Sequence, residues 1–137
     1  MPEYVKENIP YSKETSLIIS SFYTVYNRLS IGFNTIIYKN AIHQELLKSN
    51  LKLEIDKPVS IYYNSVYVGN FIGDIVVCDF ILLSIKSSDK IEPNDEQLLY
   101  NMLRNSRLGI GLLLNFGLKP EFCRKSPTDL LENGLND

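Results

Sequence analysis

The sequence is poor in the residues from which most catalytic centres are assembled. It holds a single histidine, His43, set among the polar positions Gln44 and Glu45 with no nucleophilic serine or cysteine motif beside it. Histidine-based acid–base or nucleophilic catalysis therefore has no support, and His43 reads as a surface residue. The two cysteines, Cys78 in a strand-like run and Cys123 near the end, lack any Cys-x-x-Cys or other metal spacing. They read as buried thiols in a reducing compartment rather than as a zinc site or disulfide framework. Positive charge is not in excess either: the formal net charge is -2 and the lysines and arginines form no runs. A protein that grips nucleic acid mainly through phosphates carries a basic face, so this balance weakens that reading while leaving room for a local patch. No uncharged apolar run approaches the roughly 20 residues that span a bilayer. The polar opening from Met1 to Glu14 lacks the apolar segment of a secretory signal, so a soluble, cytoplasmic protein is expected.

What is present is an ordinary globular composition, with 45% hydrophobic and 22% charged residues. At 137 residues the chain is long enough for one real core and too short for two, so 1–137 is expected to be a single domain. An irregular arm is expected over 1–10, and a polar tail over 126–137 with one helical turn at Asp129 to Glu132. Leu17, Ile18, Phe22, Val25, Tyr26 and Leu29 recur at helical spacing after Pro10 and Ser12, until Ser30-Ile31-Gly32 interrupts them. A second helix is expected from Phe33 to Ser49, its inner face formed by Ile37, Tyr38, Ala41, Ile42 and Leu46.

From Leu51 the period changes to two. Leu53 and Ile55, then Val59, Ile61 and Tyr63, alternate with polar residues, and Pro58 marks a break or an edge position. Asn64-Ser65 is a turn leading into Val66 to Val77, and Cys78-Asp79 is the next reversal. Phe80 to Lys86 is apolar on both faces and hence a central strand. Pro93, Asp95 and Glu96 open a third helix that runs to Asn105. Gly109 to Phe116 reads as a buried strand and Glu121 to Arg124 as a short edge strand. This order predicts an α/β sandwich, a mixed sheet of about four to five strands flanked by about three helices.

The stretch from Tyr67 to Ser87 reads as two long buried strands, and Asp74 and Lys86 are the charges in their otherwise strand-like runs. Side chains two apart on a strand share a face, so Ser84 and Lys86 point the same way. If pairing sets Asp74 opposite them, the three converge. An Asp followed by Glu-x-Lys in this arrangement is what metal-dependent phosphodiester cleavage requires: carboxylates hold Mg²⁺ and the lysine orients or activates water. Here the middle position is the neutral Ser84. Asp74 and Lys86 are therefore expected as a charge pair left in the sheet, in preference to a working catalytic pair.

Segments spread from Leu17 to Lys125 resemble the GxxExxY proteins, a compact branch of the PD-(D/E)XK nuclease-like superfamily. Those that carry the resemblance are IGFNTIIYKNAIHQELLKSNLKLE beside the family's Gly-Phe-x-Glu-x-x-Tyr helix, VGNFIGDIVV beside its Asp strand, SIKS beside Glu-Leu-Lys, EQLLYNML beside the Gln-bearing helix, and GIGLLLNFG beside Gly-Leu-Leu-x-Asn-Phe-Gly. The resemblance implies a PD-(D/E)XK nuclease-like sandwich, with Asp74 as the metal-binding carboxylate, Lys86 as the catalytic lysine and Gln97 as a supporting residue. It sets the motif's glutamate at Asn34, the Glu of Glu-Leu-Lys at Ser84, and the histidine often found before the motif at Tyr26. Glu45, about three turns from Asn34, cannot replace the missing ligand; Asp56 and Asp79 are the other nearby acids, neither expected to be aimed at Asp74, so that a migrated carboxylate ranks below an emptied site. Gln97 is expected to satisfy backbone groups near the sheet, and Tyr38 and Tyr100 to pack in the core with the hydroxyl at the rim.

The leading expectation is thus a catalytically inactive nuclease-like domain that works by binding a protein partner or a second copy of itself, without a cofactor. Tyr62 and Tyr67, if outward-facing on an edge hairpin, are its candidate interface. One alternative is a Mg²⁺-dependent DNA or RNA nuclease with an unconventional ligand set. The other is a non-catalytic nucleic-acid binder whose contacts are Arg104, Arg107, Lys119, Arg124 and Lys125.

Overall fold

The computed structural model describes residues 11–128. The expected arm over 1–10 and the helical turn at Asp129 to Glu132 lie outside the described residues. In chain order the elements are α1 (Ser12–Leu29), α2 (Thr35–Leu46), β1 (Leu53–Tyr63), β2 (Val66–Val77), β3 (Ile81–Lys86), α3 (Pro93–Arg104), β4 (Ile110–Phe116) and β5 (Pro120–Lys125). The strands form one mixed sheet in the order β1-β2-β3-β4-β5, in which β3 and β4 are parallel and the other neighbours antiparallel. Such a parallel pair needs a crossover, and α3 supplies it. The expected α/β sandwich is the observed fold, and β3, apolar on both faces, is the middle strand.

Strand alternation divides the core in two. Ile81, Leu83 and Ile85 of β3 and Leu112 and Leu114 of β4 pack against Ile18, Phe22 and Val25 of α1 and Tyr38, Ile42 and Leu46 of α2. Leu82 and Leu113 face the other way, onto Leu99 and Leu103 of α3. The helical stripe of α1 is as its spacing predicts, except that Leu17 is exposed. The helix stops where Ser30, in the left-handed region at φ 57°, donates its N–H to the Tyr26 carbonyl. Helix α2 is shorter than expected at both ends. Asn34 caps it, its side chain accepting the Ile37 N–H at 3.4 Å, so Phe33 lies before the first turn; at the other end the Ser49 hydroxyl donates to the Leu46 carbonyl.

The first two antiparallel reversals, β1 to β2 and β2 to β3, are tight. Asn64 and Ser65 have φ of 51° and 67°, and Cys78 and Asp79 have 57° and 58°, the paired positive values that a type I′ turn demands. The two thiols are half-buried rather than buried, Cys78 because it occupies one of these turns. A larger departure concerns β2, which is not buried along its length. It pairs with β3 only at Ile75, Val76 and Val77, whereas it follows β1 back to Tyr63↔Val66. The outer halves of β1 and β2 therefore leave the sheet as a two-stranded ribbon, on which Tyr63, Val66, Tyr67, Val68 and Ile72 are exposed.

Candidate functional site

Asp74 lies where β2 parts from β3. Its carboxylate accepts the Ile85 N–H at 2.7 Å, taking the place a strand carbonyl would fill if the ladder continued. Burial pushes its pKa up; the Ile85 N–H and the positive charge of Lys39 oppose that rise, and Asp56 adds to it. Lys86 does not join it. Because Ile85 points into the α1–α2 layer, Ser84 and Lys86 point to the α3 side, where the Lys86 Nζ meets Asp95 Oδ1 at 3.0 Å. The other Asp95 oxygen accepts the Glu92 N–H at 2.8 Å at the start of α3. That hydrogen bond, reinforced by Lys86, holds the Asp95 carboxyl below its ordinary value. The expected Asp74–Lys86 charge pair is thus replaced by two separate arrangements.

The remaining residues singled out by sequence are scattered. Gln97 is exposed and its amide donates to Asn101 one turn along, away from the backbone groups it was expected to satisfy. Asn34 is committed to capping α2, and it is the next residue that reaches the sheet: the Thr35 hydroxyl lies 3.2 Å from that of Ser87, just past β3. The Tyr26 hydroxyl donates to the Gly117 carbonyl at 2.7 Å. His43 is half-buried and Glu45 pairs with Lys48.

Two charged residues act on Asp74: Lys39, which the sequence did not single out, and Asp56, which was expected not to be aimed at it. Ile55↔Ile75 and Lys57↔Gly73 bracket Asp56 and Asp74, so these carboxylates are opposite each other in the β1–β2 register. Asp56 sits in the left-handed region at φ 53°, a break inside β1 that aspartate tolerates better than most side chains. It is ion-paired with Lys39, whose side chain is only 13% exposed. Lys39 follows Thr35 by one turn on the same face of α2. That four-residue spacing was the one legible signal.

A polar clamp fixes the neighbouring loop. Asn115, fully buried on β4, accepts the Ser88 N–H and donates to the Ser88 carbonyl, each at 3.0 Å. Gly117 is required because a Cβ there would meet the Ser88 carbonyl oxygen at 2.4 Å. Phe116 between them stacks on Tyr38 with ring centres 4.1 Å apart, and the Tyr38 hydroxyl donates to the Ser30 carbonyl at 2.6 Å. Tyr38 is therefore a core residue, and the buried Tyr100 lies under Arg104.

The basic residues of the C-terminal third do not share one face. Arg104 lies over Tyr100 and Arg107 over Tyr62, while Lys125 pairs with Glu96 at 3.2 Å. Arg124 and Lys125 are successive strand residues and so point to opposite sides of the sheet. Tyr62 meets Tyr67 edge-to-face, with Tyr67 the more exposed ring.

The donor set at Asp74 does not suit Mg²⁺, which takes carboxylates and phosphates in a strict octahedron. Ser84 and Thr35 are neutral, and Asp56, opposite Asp74 in the strand register, already carries Lys39. Among the described residues, no three His, Cys, Asp or Glu side chains are grouped as for a metal ion.

A mixed five-stranded sheet between helices, with an aspartate at the splay of β2 from β3 and Ser-x-Lys on β3, defines a nuclease-like α/β domain. The family model of the PD-(D/E)XK nuclease superfamily matches residues 12–125, and the chain belongs to that superfamily. Comparisons with curated proteins and with solved structures give no match. No helix among the described residues is long and apolar enough to cross a membrane.

Proposed function

We propose that this chain is a PD-(D/E)XK nuclease-like domain that acts by binding, in the cytoplasm, rather than by metal-dependent cleavage. The observation that carries the reading is the commitment of Lys86 to Asp95 at the start of α3, on the far side of β3 from the helix that bears Thr35. The lysine that cleavage needs beside Asp74 is occupied as a structural tie. Neutral Ser84 supports the same reading. So does the GxxExxY likeness once its register is counted: Gly32 to Tyr38 fits Gly-Phe-x-Glu-x-x-Tyr with the glutamate position on Thr35, not Asn34.

The binding surface in this reading is the free end of the β1–β2 ribbon. Tyr63, Val66, Tyr67, Val68 and Ile72 are apolar or aromatic, exposed and uncharged, which suits a protein surface, a partner or a second copy, better than a phosphate backbone. Incubation of the purified chain and its Asp74→Ala variant with single- and double-stranded DNA and RNA in Mg²⁺ or Mn²⁺ tests the reading. No cleavage by either is expected; metal-dependent cleavage by the native chain that vanishes in Asp74→Ala would overturn it. Retention of nucleic acid that weakens steeply with salt would instead favour a non-catalytic nucleic-acid binder.

A further inference from the structure

We propose that Lys39 is the resident cation of this site, its ammonium standing where the nuclease-like fold otherwise has use for a divalent ion. The inference rests on the non-catalytic reading above. Asp56 and Asp74 occupy opposite register positions on adjacent strands where β2 leaves β3, near enough for the Asp56 charge to act on Asp74. A single carboxylate at such a splay can stay solvated or be hydrogen-bonded, as Asp74 is by the Ile85 N–H. Two opposed carboxylates repel, and they need a positive charge between or beside them.

Helix α2 provides that charge. Thr35 and Lys39 stand one turn apart on the face that α2 turns to the sheet, the first reaching Ser87 at the end of β3 and the second Asp56 on β1. A lysine side chain only 13% exposed is desolvated along nearly its whole length, and such burial is tolerated only with a counter-charge. Asp56 is itself 56% exposed, so the pair is wet on the carboxylate side and dry on the lysine side. The break in β1 at Asp56 belongs to the same device: a left-handed residue inside a strand turns its side chain out of the strand's alternation. Lys86 cannot supply the charge, because β3 directs it to the opposite side of the sheet and Asp95 holds it there.

It follows that the carboxylate pair is intact but its cation is covalently part of the chain. Removing the ammonium should leave a two-carboxylate pocket that a hard divalent ion can enter, coordinated by Asp56, Asp74 and water. Thermal melting in the presence and absence of MnCl₂ tests this on the native chain, Lys39→Met, Lys39→Gln and Lys39→Met/Asp74→Asn. Saturating Mn²⁺ is expected to raise the melting temperature of both single variants by about 3–8 °C and to leave the native chain and the double variant unmoved. Folded single variants that Mn²⁺ does not stabilise would overturn the inference, as would a native chain stabilised as much as they are. Should neither variant fold, the native chain decides: acylation of Lys39 by an amine reagent is expected to be at least about tenfold slower than that of exposed Lys48, and equal rates would overturn it. The two failures are separable. Metal-dependent cleavage by the native chain defeats the non-catalytic reading, whereas metal-inert native and Lys39-variant chains defeat this inference alone.

Discussion

Asp74 and Asp95 are carboxylates that their surroundings push in opposite directions. Burial raises the Asp74 pKa above 3.8, so between the unfolded and folded values the native state holds the extra proton. Its contribution to stability is full below the unfolded pKa and is lost as pH rises through the folded one. Asp95, lowered by the Glu92 N–H and then by Lys86, has the reverse sign: its contribution is present above 3.8 and is lost as pH falls through its folded pKa. Thermal melts from about pH 3 to about pH 7 should therefore show Asp74→Asn gaining on the native chain as pH rises, and Asp95→Asn losing ground over the same climb. Parallel curves for Asp74→Asn would mean that burial does not govern that carboxylate. The sequence places Asp95 at the start of α3, where its bond to the Glu92 N–H arises, but shows neither the tie of Asp95 to Lys86 nor the surroundings of Asp74. The partners of Asp74 are a backbone N–H 11 residues on and the charges of Lys39 and Asp56, none adjacent to it in the chain.

At the scale of elements the sequence was a better guide, because turns and caps are local. Asn64-Ser65 is an evident reversal, and the structure shows why: both residues sit in the left-handed region of a two-residue hairpin. Asparagine tolerates that region and serine does less well, so Ser65→Gly should stabilise the chain by about 1 kcal/mol. Chemical denaturation would check it, and a destabilised variant would show that the Ser65 side chain contributes more than its backbone costs. Apolar runs also gave β3 and β4 their central places. What failed was inference across elements. Lys86 and Ser84 were correctly assigned to one face, yet nothing local states which helix that face meets, and it meets α3. Asn34 is a different case, an error of one residue in the register of the resemblance: counted between Gly32 and Tyr38 the glutamate position is Thr35, which reaches the sheet, whereas Asn34 caps α2. The splay of β2 was missed because its outer half, Val66 to Ile72, carries the valines and aromatics of a buried strand and displays several of them to solvent.

For the whole molecule, the α/β sandwich and its superfamily agree with the pattern of helix and strand periods along the chain. The parallel contact between β3 and β4 has a kinetic consequence. β1, β2 and β3 form a meander of hairpins that close over two or three residues, so each can zip from its own turn within microseconds. β4 instead meets β3 only after the loop and the whole of α3 have been gathered in, with Ile81 paired to Ile110. The entropy of that closure is spent before any β4 contact repays it, which makes it the expected barrier to folding. Leu112, buried on β4 opposite Leu83, is the place to look: Leu112→Ala should slow refolding in stopped-flow experiments, with a φ-value above about 0.5. A value near zero would put the docking of β4 after the barrier and leave the meander as the nucleus.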